Sequence, residues 1–379
     1  MQQQSSYRRI VVKAGTALLT NDTGSPNYEV MAGIVDQMAK LHRDGARLIL
    51  VSSGAVAAGR GAVAATDDAS VQFRQALAAV GQSHLMHIYQ DLFNESAITV
   101  AQVLLTLNDV GERRTRSQKL RDLNVRNTLA SLLDLGVVPI VNENDVVAVD
   151  ELAGAGFGDN DNLAARVARA MDAELLILLG TVNGLYTSDP TVDPDAEIIQ
   201  TISRFDRRMR ARAGAPRDQK GRGGMATKFE AAKFATEGGV DVFIASGEEP
   251  DIVTRLVQGE RVGTFCPASQ KAKESRKNWL KAHASKSAWV VVDDGAADVL
   301  LQRDRSLLPV GVTSVVGTFE RGEAVQIRNG RGIQVAVGIA NYSSTELDRI
   351  KGVRSDRVSE ILGDRYGDEV VHRRDMIRL

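Results

Sequence analysis

The chain has 379 residues, 43% of them hydrophobic, and its 47 lysines and arginines nearly balance 48 aspartates and glutamates. That balance excludes a global field that would attract nucleic acid or an anionic membrane. A single cysteine, Cys266, excludes an intrachain disulfide, and the sequence has no zinc-type Cys/His spacing. The length exceeds what one hydrophobic core normally serves, so two domains are expected.

The apolar runs are short throughout. The first residues, MQQQSSYRRIVVKAGT, hold too brief a run for a signal peptide, and the longest run, LLILL at 175–179, is far below a membrane span. We therefore expect a cytoplasmic protein that does not associate with membranes.

Residues 10 to about 257 alternate short apolar runs with helical patterns. Strands are predicted at 10–12, 48–51, 98–105, 137–141, 175–179 and 240–245, and helices at 28–43, 74–93, 119–135, 162–171 and 225–237. Nearly continuous apolar strands separated by helices predict an α/β fold, a mostly parallel sheet covered on both faces. Ligands of such sheets bind beyond the carboxyl ends of the strands, so the loops after the strands are the expected site.

The pattern of residue types changes after about residue 258. A polar, basic segment reads as a linker with a short helix, and from 288 onward short strands alternate with glycine turns, which predicts a small β-barrel or sandwich. The predicted organisation is an α/β domain at 7–265, a linker at 266–286, a β-rich domain at 287–365 and a C-terminal tail at 366–379.

Anion-binding features follow the first two predicted strands. Lys13 and a tight turn at Gly15 lie in VVKAGTALLT, which has no P-loop pattern, and a solvated lysine at a strand end is the alternative. Ser53 and Gly54 precede a helix whose N-terminus suits a carboxylate or phosphate, although an ordinary serine cap is equally compatible.

Acidic and amide residues follow the fourth predicted strand in NENDVVAVDELAGAGFGDNDN. A solvated acidic loop is the simpler interpretation, but NEND directly follows an apolar strand and should lie at the ligand edge of the sheet. Four cap-type residues, 159–162, then precede a helix that needs only one or two of them. The surplus suggests that Asn160 and Asp161 face the expected ligand site.

A glycine-rich loop, GRGGMATKFEAA, leads into a helix that carries Lys228 in its first turn. Backbone N–H groups, a helix N-terminus and a lysine together form a phosphate cradle. Two lysines with two anion sites indicate a polyphosphate, while the carboxylates indicate Mg²⁺ or an ammonium-bearing substrate. No Ser/His/Asp or Cys/His set is evident, so phosphoryl transfer to an already ionised acceptor, such as a carboxylate with a pKa of about 4, fits best.

Several motifs in register resemble the glutamate kinases of the amino acid kinase family. They are VVKAGTALLT, VSSGAVAAGR, RQALAAVGQ, VPIVNENDVVA, FGDNDNLAARVA, GLYTSDP and GRGGMATKFEAA. The resemblance covers nearly the whole chain, and about 287–365, with LLPVGVTSVVGTFERGEAVQI, resembles a PUA domain.

The resemblance implies a three-layer α/β/α sandwich and ATP-dependent phosphorylation of the L-glutamate γ-carboxylate to γ-glutamyl phosphate. It further implies the first step of proline biosynthesis, inhibition by proline, a homodimer or homotetramer, and transfer of the product to glutamyl-phosphate reductase. Mg²⁺ is expected to bind mainly through ATP phosphates, with no certain protein ligand.

The resemblance also implies roles for individual residues. Lys13 and Lys228 would contact the ATP phosphates, with Asp161 orienting them, and glutamate would be bound by Ser53, Gly54, Asp145 and Asn160. The expected nucleotide-binding residues are Lys13, Gly15, Gly180, Thr181, Arg222, Gly223, Gly224, Met225, Ala226, Thr227 and Lys228.

Three features depart from the family pattern. Gly180-Thr181 stands where a Thr/Ser-Asp pair is usual, which could weaken or re-route nucleotide contacts. Arg222 replaces a small residue. The segment 108–126 is several residues longer than usual and could affect the substrate flap, the subunit contact or inhibition.

Two rival hypotheses remain. The same fold could phosphorylate aspartate, acetylglutamate, carbamate or a nucleotide, which the NEND and GDNDN motifs and the PUA-like tail argue against. Alternatively, the protein could be an RNA-binding or regulatory module. Residues 285–379 hold 14 Lys/Arg and 14 Asp/Glu, a balance that does not favour RNA, whose affinity generally rests on a basic surface.

Overall fold

A computed structural model describes most of the chain, and the chain forms two compact units. The described residues are 7–21, 23–63, 70–111, 115–148, 160–190, 192–212, 224–269, 284–285, 287–303, 305–363 and 366–379, without the side chains of 208, 211 and 212. The first unit comprises Met1–Glu112 with Thr128–Ala272, and the second comprises Arg113–Asn127 with Lys273–Leu379.

The first unit is built on a seven-stranded sheet. Its strands are β1 (Arg9–Ala14), β2 (Arg47–Ser52), β3 (Val100–Leu105), β4 (Val138–Glu143), β5 (Leu175–Gly180), β6 (Asp241–Ser246) and β7 (Thr264–Cys266), in the order β3-β4-β2-β1-β5-β6-β7. All neighbours pair in parallel except β6 and β7, which are antiparallel. The predicted parallel sheet is confirmed, whereas the three-residue edge strand β7 was too short to predict.

Helices follow the strands of this sheet. They are α1 (Thr16–Leu19), α2 (Tyr28–Arg43), α3 (Ala55–Ala62), α4 (Val71–Asn94), α5 (Arg116–Asp134), α6 (Asn160–Ala170), α7 (Arg207–Arg212), α8 (Met225–Glu237) and α9 (Ile252–Val257). Helix α2 shows why they form: Asn27 caps it by accepting from Val30 N–H, and Met31, Ile34 and Met38 are buried on its inner face. Among the described helices, none is both long and apolar enough to cross a membrane.

The central strands are buried on both faces. In β5, Leu175–Leu179 are fully buried, and in β1, Ile10–Ala14 are at most 1% exposed. Each fully buried aliphatic side chain contributes about 1.5–3 kcal/mol. This explains why the strands read as continuous apolar runs rather than as alternating patterns.

Helices α3 and α4 pack with their backbones in contact, and two glycines allow this. A Cβ atom at Gly59 would lie 2.0 Å from the Leu77 carbonyl oxygen, and one at Gly81 would lie 1.8 Å from the Ala55 carbonyl oxygen. Neither position can hold a larger residue without moving a helix. The pair fixes α4 beside the carboxyl end of β2, from which α3 departs.

The second unit is β-rich, as predicted. Its strands are β8 (Trp289–Val292), β9 (Val312–Val316), β10 (Ala324–Asn329), β11 (Gln334–Ile339) and β12 (Met376–Arg378), in the order β12-β11-β10-β8-β9. Its helices are α10 (Asp294–Gln302), α11 (Ser344–Ile350) and α12 (Val358–Leu362), none of them predicted. The region 366–379, expected as a tail, includes β12, which pairs with β11.

The first part of α5 belongs to the second unit. Leu123 packs against a small cluster formed by Ala284, Ala324, Val337 and Ile339. Arg126 is buried there and forms ion pairs with Asp122, at 3.7 Å, and with Asp375. Within the 108–126 segment, the start of α5 thus belongs to the β-rich unit, a role that its sequence did not indicate.

Candidate active site

The predicted site residues lie at one edge of the sheet. Lys13 is the penultimate residue of β1, Ser53 follows β2, Asp145 follows β4, and Gly180 ends β5. Because these strands are parallel, their carboxyl ends meet at the same edge. Helix α6 starts at Asn160 and places Asn160 and Asp161 there, both buried.

A buried charged trio forms one half of the site. Lys13 Nζ lies 2.6 Å from Asp161 Oδ1, and Lys228 Nζ lies 3.0 Å from Asp161 Oδ2. The three side chains are at most 8% exposed. One carboxylate thus holds two ammonium groups close together, and their charge attracts an anion placed beside them.

Helix α8 supplies Lys228 to this trio. The helix begins after Gly224, whose position has no side-chain cap, and such an N-terminus attracts anions. Thr227 Oγ1 lies 2.9 Å from Asp161 Oδ2 and 2.8 Å from the Gly224 carbonyl oxygen, which ties the first turn of α8 to α6. A Cβ at Gly180 would come within 3.1 Å of Lys228 Cε. The unusual Gly180 therefore leaves room for the lysine stem.

A buried amide and hydroxyl network forms the other half. Asn160 Nδ2 donates to Ser53 Oγ at 2.9 Å and to Asn142 Oδ1 at 3.0 Å. Asn142 Nδ2 donates to Gln82 Oε1 at 2.8 Å, and Asn142 Oδ1 also accepts from the Glu143 N–H. Asn160 Oδ1 is buried and has no hydrogen-bond partner among the described residues. A ligand donor is therefore the expected partner of that oxygen.

The backbone after β2 has a special conformation. The Ser53 N–H donates to the Ala14 carbonyl at 3.2 Å, which ties the end of β2 to β1. Gly54 follows with φ at 102°, in the left-handed region, and starts α3. That conformation favours glycine, and it turns the chain so that Ser53 Oγ faces Asn160.

Two carboxylates lie at the end of β4. Burial raises the pKa of Asp145 to about 7, and the nearby Glu143 carboxylate adds to the increase. Gln75 of α4 holds this turn by donating to the Asp145 carbonyl at 3.1 Å and to the Val146 carbonyl at 3.0 Å. A ligand cation would restore the ionised form of Asp145, because a nearby opposite charge lowers a carboxyl pKa.

The structure thus brings together most predicted site residues within the described part of the chain. Gly15 lies beside Lys13, since a Cβ there would be 3.4 Å from Lys13 Nζ, while Thr181 is exposed after β5. Arg222 and Gly223 lie outside the described residues. The individual contacts to glutamate and nucleotide stay predictions.

Sequence reasoning missed Asn142 and Gln82. Asn142 stands inside VPIVNEND as a polar residue that ends a buried strand, and Gln82 is a polar residue on the inner face of a predicted helix. Both signals were available in the sequence. Their contact joins residues 60 positions apart, which no local pattern reveals.

The described donor set does not form a cage for a metal ion. No group of three or more His, Cys, Asp or Glu side chains in the described residues could hold one, and Asp161 is engaged by two lysines.

A family model described as the amino acid kinase family matches residues 8–246, and a PUA domain model matches residues 288–362. The chain belongs to the amino acid kinase family. Members similar to it include proteins named glutamate 5-kinase from Dehalococcoides mccartyi strain CBDB1, at 43% identity over 99% of both chains, and from Herpetosiphon aurantiacus, at 44% over 98% of both. Among solved structures, UMP kinase from Bacillus anthracis aligns at 18% identity and a TM-score of 0.46, over 69% of this chain and 97% of that one. The predicted family and its PUA domain are confirmed.

Proposed function

We propose that this amino acid kinase transfers the γ-phosphoryl group of ATP to the γ-carboxylate of L-glutamate, forming γ-glutamyl phosphate. The names of its full-length relatives support this acceptor. The observation that carries the proposal is that two consecutive residues, Asn160 and Asp161, belong to two different networks. Asp161 joins the buried lysines, while Asn160 joins the buried amide and hydroxyl network. The two residues can hold a phosphate chain and an amino acid side by side.

The lysine trio supplies the electrostatic part of the reaction. As the bond from the γ-phosphorus to the bridging oxygen breaks, ADP leaves with the electron pair and a glutamate oxygen bonds to phosphorus. Lys13 and Lys228 neutralise the charge on the phosphoryl oxygens, and Asp161 holds both ammonium groups in place before the substrates arrive. Preorganised donors of this kind are worth about 10²–10³ in rate each.

The acceptor needs no general base. A carboxylate with a pKa of about 4 is ionised at neutral pH, so it can attack without losing a proton. This agrees with a site whose described residues include Ser53, Asn160 and carboxylates but no histidine. Mg²⁺, when bound with ATP, supplies further charge neutralisation between the phosphates.

Further proposals rest on the resemblance of the sequence motifs to those of glutamate kinases. We propose that the product enters proline biosynthesis in the cytoplasm through glutamyl-phosphate reductase, that proline inhibits the enzyme, and that the chain forms a homodimer or homotetramer. We do not expect the PUA domain to bind RNA, because the charges of residues 285–379 are balanced.

Acceptor-dependent ADP release by the full chain tests the proposal. We expect turnover with ATP, Mg²⁺ and L-glutamate, trapping of the product by hydroxylamine as a hydroxamate, and loss of turnover on addition of proline. L-aspartate, N-acetylglutamate, carbamate and UMP should give at most a small fraction of the glutamate rate. Activity with any of these but not with glutamate would overturn the proposed acceptor.

A further inference from the structure

We propose that Gln82, in α4, is a positioning residue that orients the Asn160 carboxamide so that its carbonyl oxygen receives the α-ammonium group of the acceptor amino acid. The inference rests on the proposed function, because it takes the acceptor to be L-glutamate. Gln82 is only 7% exposed, and its described contact is with Asn142 rather than with the charged trio.

Two contacts fix the orientation of the Asn142 carboxamide. Its Oδ1 accepts from the backbone N–H of Glu143 at 2.8 Å, and a backbone N–H can only donate. A carboxamide has one accepting end and one donating end, so Asn142 Nδ2 must face the other way. There it meets Gln82 Oε1 at 2.8 Å. The backbone amide and the Gln82 carbonyl therefore hold Asn142 from its two ends.

Asn142 and Ser53 in turn fix the orientation of the Asn160 carboxamide. Its Nδ2 donates to Asn142 Oδ1 and to Ser53 Oγ, so both of its N–H groups are used. Its Oδ1 is left buried without a partner among the described residues. Buried carbonyl oxygens are nearly always hydrogen-bonded to protein, ligand or ordered water, so this oxygen is available to a donor on the ligand. At neutral pH the ammonium is the one donor group of L-glutamate, because both carboxylates only accept.

Helix α4, which carries Gln82, is itself held in place by its contacts. Gly81 allows backbone contact with α3, and Gln75, seven positions before Gln82 on the same helix face, holds the turn at Asp145 and Val146. Helix α4 thus supports the end of β4 at two points. The Nε2 atom of Gln82 has no partner among the described residues, so its carbonyl is the end that the network uses.

Steady-state kinetics of the full chain test this role with a pair of variants. Gln82→Met removes the acceptor at similar volume, whereas Gln82→Glu keeps an accepting oxygen. For Gln82→Met we expect the KM for L-glutamate to rise about tenfold, while kcat and the KM for ATP stay within about twofold. For Gln82→Glu we expect the KM for glutamate to stay within about threefold.

Glutarate, which is glutamate without the amino group, separates orientation from general damage. Its inhibition constant should be the same in the wild type and in Gln82→Met, because it has no ammonium for Asn160 to bind. Equal loss of glutarate and glutamate binding, an unchanged KM for glutamate, or a Gln82→Glu defect as large as that of Gln82→Met would each overturn the inference.

If Gln82→Met does not fold, as judged by its thermal melting, Gln82→Asn takes its place, since its shorter amide cannot reach Asn142. A wild-type chain that does not phosphorylate glutamate would overturn the proposed function. Normal wild-type turnover with an unaffected Gln82→Met would overturn the role of Gln82 alone.

Discussion

Asn160 and Asp161 are consecutive, yet they organise two different kinds of site. Around Asp161, two lysines are held by ion pairs, whose attraction depends mainly on distance and burial. Around Asn160, each hydrogen bond depends on which end of an amide faces which partner. The first arrangement suits any polyphosphate, while the second can discriminate among acceptors. Two adjacent residues of α6 thus belong to two networks, one held by ion pairs and the other by directional hydrogen bonds.

Removing the central carboxylate should have the largest effect. Asp161→Asn leaves two buried ammonium groups without their shared partner, so we expect kcat to fall about a thousandfold. Stability should fall by about 3–5 kcal/mol. Kinetics and denaturant unfolding measure the two effects. Asn162→Ala, in the same helix turn, is the matched control and should stay close to the wild type.

Removing one lysine should be the next largest change. Lys228→Met should lower kcat about a hundredfold or more, because one preorganised cation is lost from the transferring phosphoryl group. The KM for glutamate should change little, since the amide network is intact. Lys233→Met, five positions later on α8, is the control. A Lys228→Met enzyme with normal kcat would show that the trio is not the phosphate site.

The pH dependence of glutamate binding should follow Asp145. Its pKa of about 7 means that the anion, which can attract the substrate ammonium, is lost below pH 7. We therefore expect kcat/KM for glutamate to fall by up to tenfold per pH unit below 7 and to level off above 8. Asp145→Asn should bind glutamate more weakly, with a nearly flat profile between pH 6 and 8.

The raised pKa of Asp145 also makes the stability of the folded protein depend on pH. The folded-state pKa lies above the usual 3.8, so ionised Asp145 disfavours folding increasingly as pH rises from about 4 to 7. Asp145→Asn should accordingly raise Tm more at pH 8 than at pH 5. An equal change in Tm at both pH values would contradict the raised pKa.

A smaller effect should come from the contact between α3 and α4. Gly81→Ala places a Cβ where the Ala55 carbonyl stands, so stability should fall by about 1–3 kcal/mol. The shift of Gln82 should raise the KM for glutamate about threefold, with the KM for ATP unchanged. Gly33→Ala, in α2, is the control. Nothing lies within 4 Å of the added Cβ, so the stability of the Gly33→Ala variant should be unchanged or slightly improved.

The sequence predicted the charged half of the site better than the amide half. Lys13, Asp161 and Lys228 stand in motifs at strand ends and helix starts, where general rules for parallel sheets place ligands. Asn142 and Gln82 gain their role only from a contact across 60 positions. In the fold, five of the six predicted strands were found because both of their faces are buried, whereas the sixth, β3, is only partly buried. The assignment of Arg113–Asn127 to the β-rich unit was missed, because helical periodicity does not say what a helix packs against.

Direct binding of L-glutamate, measured by titration calorimetry without nucleotide, tests the separation of the two halves most directly. We expect Lys228→Met to bind glutamate within about threefold of the wild type, whereas Asn160→Ala should bind it at least tenfold more weakly. Equal weakening in both variants, or normal binding by Asn160→Ala, would contradict this separation.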